Sequence, residues 1–187
     1  MFKTRQLVAI AILSTISFLL MFFSFSVIPG ANFLKIDFSI IPILLGLVLF
    51  DLRSAYIILI FRTLLKFILN NSGVNDFIGL PMNIVAIGLF VTVFALIWQP
   101  RKRPKPKSYL LASIVGTLVL TITMVLLNYG YAIPLYAKFA QFDIKTMLGL
   151  SNYLLAMVVP FNLLEGALFA LSFYFVYIAC KPLIERY

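Results

Sequence analysis

The chain has 187 residues, 63% of them hydrophobic and 11% charged, with a formal charge of +9. A soluble domain is nearer half apolar and a quarter charged, so these proportions indicate an integral membrane protein, organised as one transmembrane domain over residues 1–187. With no histidine and a single cysteine, Cys180, the sequence excludes Ser-His-Asp and Cys-His catalysis, histidine metal sites and an internal disulfide.

Apolar, nearly charge-free runs predict an all-α bundle of six membrane-spanning helices. The first covers Leu7 to Ile28. It has no small-residue cleavage site and further spans follow, so it reads as a retained helix rather than a signal peptide. Ala11 and Thr15, flanked by Ala9 and Ser14, give it a small-residue surface. Such a surface suits close packing against another helix, in this chain or in a partner. A short outer loop, "PGANFLKID", leads to a second span from Phe38 to Phe50. Asp37 or Ser39 can cap that span, and Pro42 falls in its first turn, where a missing N–H costs little. The second span reaches only about 20 Å of a roughly 30 Å hydrocarbon core, which leaves room for an outward-opening cavity.

The third span runs from Ser54 to Leu69 and the fourth from Leu80 to Trp98. The basic stretch "RKRPKPK" separates the fourth from the fifth, which runs from Tyr109 past Asn128. Residues 129–158 are predicted as a long outer loop with a short interfacial helix after Asp143, which can cap it. The sixth span runs from Val159 to Cys180.

Lysine and arginine distribute unevenly between the two sets of helix ends. Lys3, Arg5, Arg53, Arg101, Lys102, Arg103, Lys105, Lys107, Lys181 and Arg186 lie on one side, and Lys35, Lys138 and Lys145 on the other. The positive-inside rule places the first set, and with it both termini, in the cytoplasm of a multi-pass plasma-membrane protein. Orientation thus accounts for "RKRPKPK" better than nucleic-acid binding does. No internal repeat supports an inverted-repeat transporter. No phosphate-binding loop of the G-x-x-x-x-G-K-[ST] type is present, so ATP-driven work would need a partner.

Polar groups inside the spans carry the functional signal. Arg62 lies near the middle of the third span, with Lys66 one turn further out and Asn70 and Asn71 at its end. Asn83, Asn128, Asn162 and Glu165 lie at middle or outer depth in the fourth, fifth and sixth. A charge at mid-bilayer costs about 2.5–3.5 kcal/mol on insertion scales and normally faces protein or a wet cavity with a partner. Glu165 is therefore expected to pair with Arg62 or Lys66. A lone asparagine is more often interhelical glue. A group of polar residues at one depth on four helices points instead to a ligand pocket. Phe33, Phe38, Tyr129, Tyr131, Tyr136 and Phe161 cluster at the same level, as pocket walls or as an interfacial belt. The expected ligand is planar, weakly polar and rich in hydrogen-bonding groups, whose edges amides read well.

Three segments carry a family resemblance: "LKIDFSIIPILLG" (34–46), "GTLVLTITMVLLNYGYAIPLY" (116–136) and "PFNLLEG" (160–166). Through them, and over nearly the whole chain, the sequence resembles the riboflavin-specific substrate-binding (S) component of energy-coupling factor vitamin transporters. The resemblance implies riboflavin as the transported ligand, no cofactor and no metal. It implies a pocket on the extracellular side and a complex with a membrane coupling subunit and two cytoplasmic ATPases, joined through Ala11 and Thr15 of the first helix. The S component is thought to topple in the membrane to release the vitamin. By similarity, Asn128 and Asn162 would hydrogen-bond the flavin, Asp37, Phe38 and Ser39 would line the pocket, and Asn83 would contribute; the intramembrane charges themselves add Lys66 and Glu165 as candidate ligand contacts. The family's first-helix motif is usually Ala-x-x-x-Ala, and a lysine more often stands at the position of Glu165. With Arg62 and Lys66 facing it, this chain looks like an exchange of charges between helices. An S component for thiamine, pantothenate or folate would share the topology. A stand-alone proton-coupled carrier would use Glu165 as its proton site. A membrane enzyme finds no paired carboxylates or nucleophile–base set here.

Overall fold

The computed structural model describes residues 4–27, 34–100 and 105–184. Phe33, Lys3, Arg101, Lys102, Arg103 and Arg186 lie outside them. A helix lies within each predicted span, with limits that differ in instructive ways.

Helix α1 (Thr4–Leu20) stops well before Ile28. Its end tightens into i→i+3 bonds, from Met21 N–H to Phe18 and from Phe22 N–H to Leu19. The next residues, Phe-Ser-Phe-Ser, alternate with period two. They form a short strand β1 (Phe25–Ser26), antiparallel to β2 (Lys35–Ile36). A hydropathy run does not distinguish the two periods, so the sequence reading merged helix and strand.

Helix α2 (Ile40–Leu49) is apolar all round, which is the pattern of a helix buried on every side. It packs against α1, α3, α4 and α8, and its Ile40, Ile43 and Leu44 are fully buried. Asp37 Oδ1 accepts from the Ser39 N–H (2.8 Å) just ahead of it, while the Ser39 side chain makes no cap bond. Helix α3 (Leu52–Leu69) has a capped start, where Asp51 Oδ1 accepts from the N–H (2.7 Å) and hydroxyl (2.8 Å) of Ser54.

Helix α4 (Val74–Ile97) begins six residues before the predicted limit and carries Pro81 inside it. Gly73 precedes it at φ +69°, a left-handed conformation that glycine adopts without a Cβ penalty. Helix α5 (Pro106–Leu127) does not end in a loop. It passes through a π-helical turn (Asn128–Ala132) into α6 (Ile133–Phe139). The predicted long loop is thus largely helical. Asp143 does cap a short helix, α7 (Ile144–Met147), by accepting from the Lys145 N–H. A second π-helical turn (Asn152–Val158) leads into α8 (Val159–Ile184).

Among the described residues, three continuous helical stretches are long and apolar enough to cross a membrane: Val74–Ile97, Pro106–Phe139 and Asn152–Pro182. Helices α1 and α2 are apolar but shorter, and α3 carries Arg53, Arg62 and Lys66. On α5, Leu110, Ile114, Leu118, Ile122 and Leu126 form an exposed ridge at i, i+4 spacing, which suits contact with lipid tails. The opposite face of α5 packs on α4 and α8. At one end of this packing Trp98 meets the edges of Phe94, Tyr109, Phe173 and Tyr177. The other end, where α5 enters its π turn, holds the polar residues.

Candidate ligand site

A cavity of about 210 Å³ opens at that end, between β2, α4, α5, α6 and α8. Its apolar wall includes Leu34, Met82, Ala86, Ile87, Leu120, Met124 and Phe161. Its polar groups are Lys35, Asn83, Asn128, Tyr136, Tyr153 and Glu165. An apolar enclosure with a few convergent polar groups is the usual make-up of a small-molecule site.

Local chain geometry sets each polar group. Asn128 begins the first π turn and is 4% exposed. Its Nδ2 donates to Met124 O (2.8 Å), and its Oδ1 accepts from the Tyr153 hydroxyl (2.6 Å). Asn83 accepts at Oδ1 from Arg62 Nη2. Glu165 is half-buried on the cavity wall and makes no hydrogen bond or ion pair with the described residues.

The expected pairing of Glu165 with a basic residue of the third span is not what the structure holds. Lys66 pairs instead with Asp76 on α4 (Nζ to Oδ2, 3.2 Å) and donates to Asn70 Oδ1 (2.7 Å). It faces Asp76 and is absent from the cavity lining. Arg62 is fully buried and donates to Ser39 Oγ and Asn83 Oδ1. Both bonds go to neutral oxygens. Helix spacing alone gave depth but not azimuth, and depth suggested the wrong partner.

Four more expected contacts lie outside the cavity lining. Asp37 and Ser39 form a polar knot behind it, with the Ser17 hydroxyl donating to Ser39 O. Phe38 stands half-buried against Phe25, ring centroids 6.0 Å apart. Asn162 is fully buried between the lining residues Phe161 and Glu165: its Nδ2 donates to Val158 O (2.7 Å), and its Oδ1 has no partner among the described residues. Of the expected ligand residues, the structure brings Asn83, Asn128 and Glu165 together on one cavity. Of the aromatic group, Tyr136 and Phe161 join them, and Tyr129 is exposed. Tyr153 and Lys35 were missed: the first was hidden in the segment read as a loop, the second was counted only as a charge.

On α1, Ala11 and Thr15 are both exposed, in a row with Val8, Ile12, Ile16 and Leu19. Ser14, counted with the same small-residue face, turns inward and donates to Ile10 O.

The family profile "ECF transporter, substrate-specific component" matches residues 5–177. The chain belongs to this family. Among its relatives as an S component, the riboflavin transporter RibU of Streptococcus thermophilus is 54% identical over 186 residues, 100% of this chain and 87% of that protein. The riboflavin transporter RibU of Leuconostoc mesenteroides is 40% identical over 195 residues, 99% of this chain and 95% of that one. A solved structure of the S component of a bacterial ECF transporter superposes with a TM-score of 0.79 at 27% identity, covering 96% of this chain and 97% of that one. Membership as an S component places the chain among membrane transport proteins, and it accounts for a fold with a cavity but no ATP-binding loop.

Proposed function

We propose that this chain binds riboflavin within the plasma membrane and acts in its uptake as the S component of an ATP-driven ECF transporter. The observation that carries this reading is 54% identity, along the entire chain, to a riboflavin transporter. The cavity adds chemical support. Asn83, Asn128, Tyr153 and Glu165 supply donors and acceptors for a heteroaromatic edge, and Tyr136 and Phe161 supply ring faces. Its volume of about 210 Å³ is below the roughly 300–1,000 Å³ of typical sites. A tricyclic ligand must displace part of the wall, and Met82 and Met124, being flexible and unbranched, are the side chains that can yield.

In this reading the whole chain is one domain of six spans, with both termini in the cytoplasm and the cavity mouth on the extracellular side. The charge asymmetry between helix ends supports that orientation. The exposed row of α1 around Ala11 and Thr15 would meet the membrane coupling subunit, which carries the two ATPases. Riboflavin fluorescence should be quenched by the purified protein at a near one-to-one ratio. Absence of quenching by riboflavin and by flavin mononucleotide would overturn the assignment.

A further inference from the structure

Arg62 is the largest fully buried side chain of the described residues, yet neither of its hydrogen-bond partners is a carboxylate. A guanidinium carries five N–H donors and no acceptor. It therefore fixes the orientation of whatever it meets. At Ser39 it takes the hydroxyl as acceptor, at the corner between β2 and α2. At Asn83 the consequence is larger. A free asparagine amide can turn either its oxygen or its NH2 toward a ligand. Facing Arg62, it can offer only its oxygen, so the NH2 group must point the other way.

Arg62 has no exposed surface, whereas Asn83 is half-buried and lines the cavity wall. No acceptor among the described residues meets the Asn83 Nδ2. We infer that Arg62 is a positioning residue for the ligand site: by holding the Asn83 oxygen, it turns the Asn83 NH2 to the cavity as a donor that selects a ligand presenting a carbonyl oxygen or an unprotonated ring nitrogen. The same guanidinium ties the β2–α2 corner to α4, so the corner and the Asn83 amide share one anchor. The inference rests on the riboflavin reading for its ligand, but not for its geometry.

A double-mutant cycle with riboflavin as the probe tests it. Affinity is read by fluorescence quenching and folding by thermal unfolding in detergent. Arg62→Met should weaken binding about tenfold or more when Asn83 is present, and less than about twofold in an Asn83→Ala background. Equal losses in the two backgrounds would overturn the inference, because Arg62 would then act on the fold at large. Should Arg62→Met fail to fold, Asn83→Asp decides. The carboxylate still accepts from Arg62 and gives the buried cation a counter-charge, so folding should hold, but it has no proton to donate. Binding should fall about tenfold or more. Binding within about twofold of the unmodified protein would overturn the inference while leaving the riboflavin reading intact. Absence of riboflavin binding by the unmodified protein would overturn both.

Discussion

The Tyr153 hydroxyl donates to Asn128 Oδ1 at 2.6 Å, and each residue belongs to one of the two π-helical turns. A π turn widens the helix and redirects one side chain off the usual 3.6-residue spiral, a device often found at functional sites. Here this bond joins the two turns and, with the Nδ2 bond to Met124 O, holds the Asn128 amide at the cavity wall. Tyr153→Phe removes only the donor. Asn128 keeps its Nδ2 bond to Met124 O, but its Oδ1 is released, and a ligand must offset the loosened geometry. Riboflavin affinity is expected to fall about five- to tenfold, with the thermal midpoint nearly unchanged. A titration by fluorescence quenching measures the first, and a melting curve the second.

Asn162 separates binding from stability. Its Oδ1 is buried without a partner among the described residues, an arrangement that ordinarily destabilises a fold by about 1–3 kcal/mol. Asn162→Leu removes that atom along with an Nδ2 that only duplicates a helix-internal bond to Val158 O. The variant is expected to melt at the same temperature or higher, and to lose riboflavin binding. A residue kept for folding would show the opposite pattern, with a lower midpoint and binding retained. Functional groups held against stability are expected at sites that wait for a ligand.

Much of the helix layout was legible because membrane helices are long apolar runs, and each predicted span contains a helix. The failures have one cause: composition reports burial and depth, not period or azimuth. Phe25 and Ser26 belong to an apolar run by hydropathy but to a strand by alternation. Residues 129–158 looked like a loop because Tyr, Gly, Pro and Lys break the apolar run, although α6 continues the same helical rod. At the site, depth alone picked out Asn83, Asn128 and Glu165. It also proposed Lys66, which lies at a suitable depth but on the face turned to Asp76.

Lys66 therefore supplies a control. Its pair with Asp76 joins α3 to the start of α4, and both side chains are mostly shielded, at 14% and 15% exposure. Lys66→Met leaves the shielded Asp76 carboxylate without its cation and is expected to cost about 1–3 kcal/mol of stability, while leaving riboflavin affinity within about twofold. A tenfold loss of affinity would instead place the cavity nearer the α3–α4 corner than the structure does.

The packing of α8 on α5 rests on a close approach at Gly166. A Cβ there would lie 2.6 Å from Thr117 Oγ1, 2.8 Å from Cγ2 and 2.9 Å from Cβ. All three contacts are below the distance that real Cβ atoms keep, and Thr117 is short and branched, so it cannot swing clear. Gly166→Ala is expected to push α8 off α5 and destabilise the protein by about 1–3 kcal/mol, read as a lower thermal midpoint. Because Glu165 is the adjacent residue and lines the cavity, the same shift should weaken riboflavin binding. Adding Thr117→Ala removes the two nearest atoms and leaves only the Cβ contact. The double variant should therefore recover part, though not all, of both losses. No recovery in the double variant would show that the Gly166 effect arises from backbone freedom rather than from helix proximity.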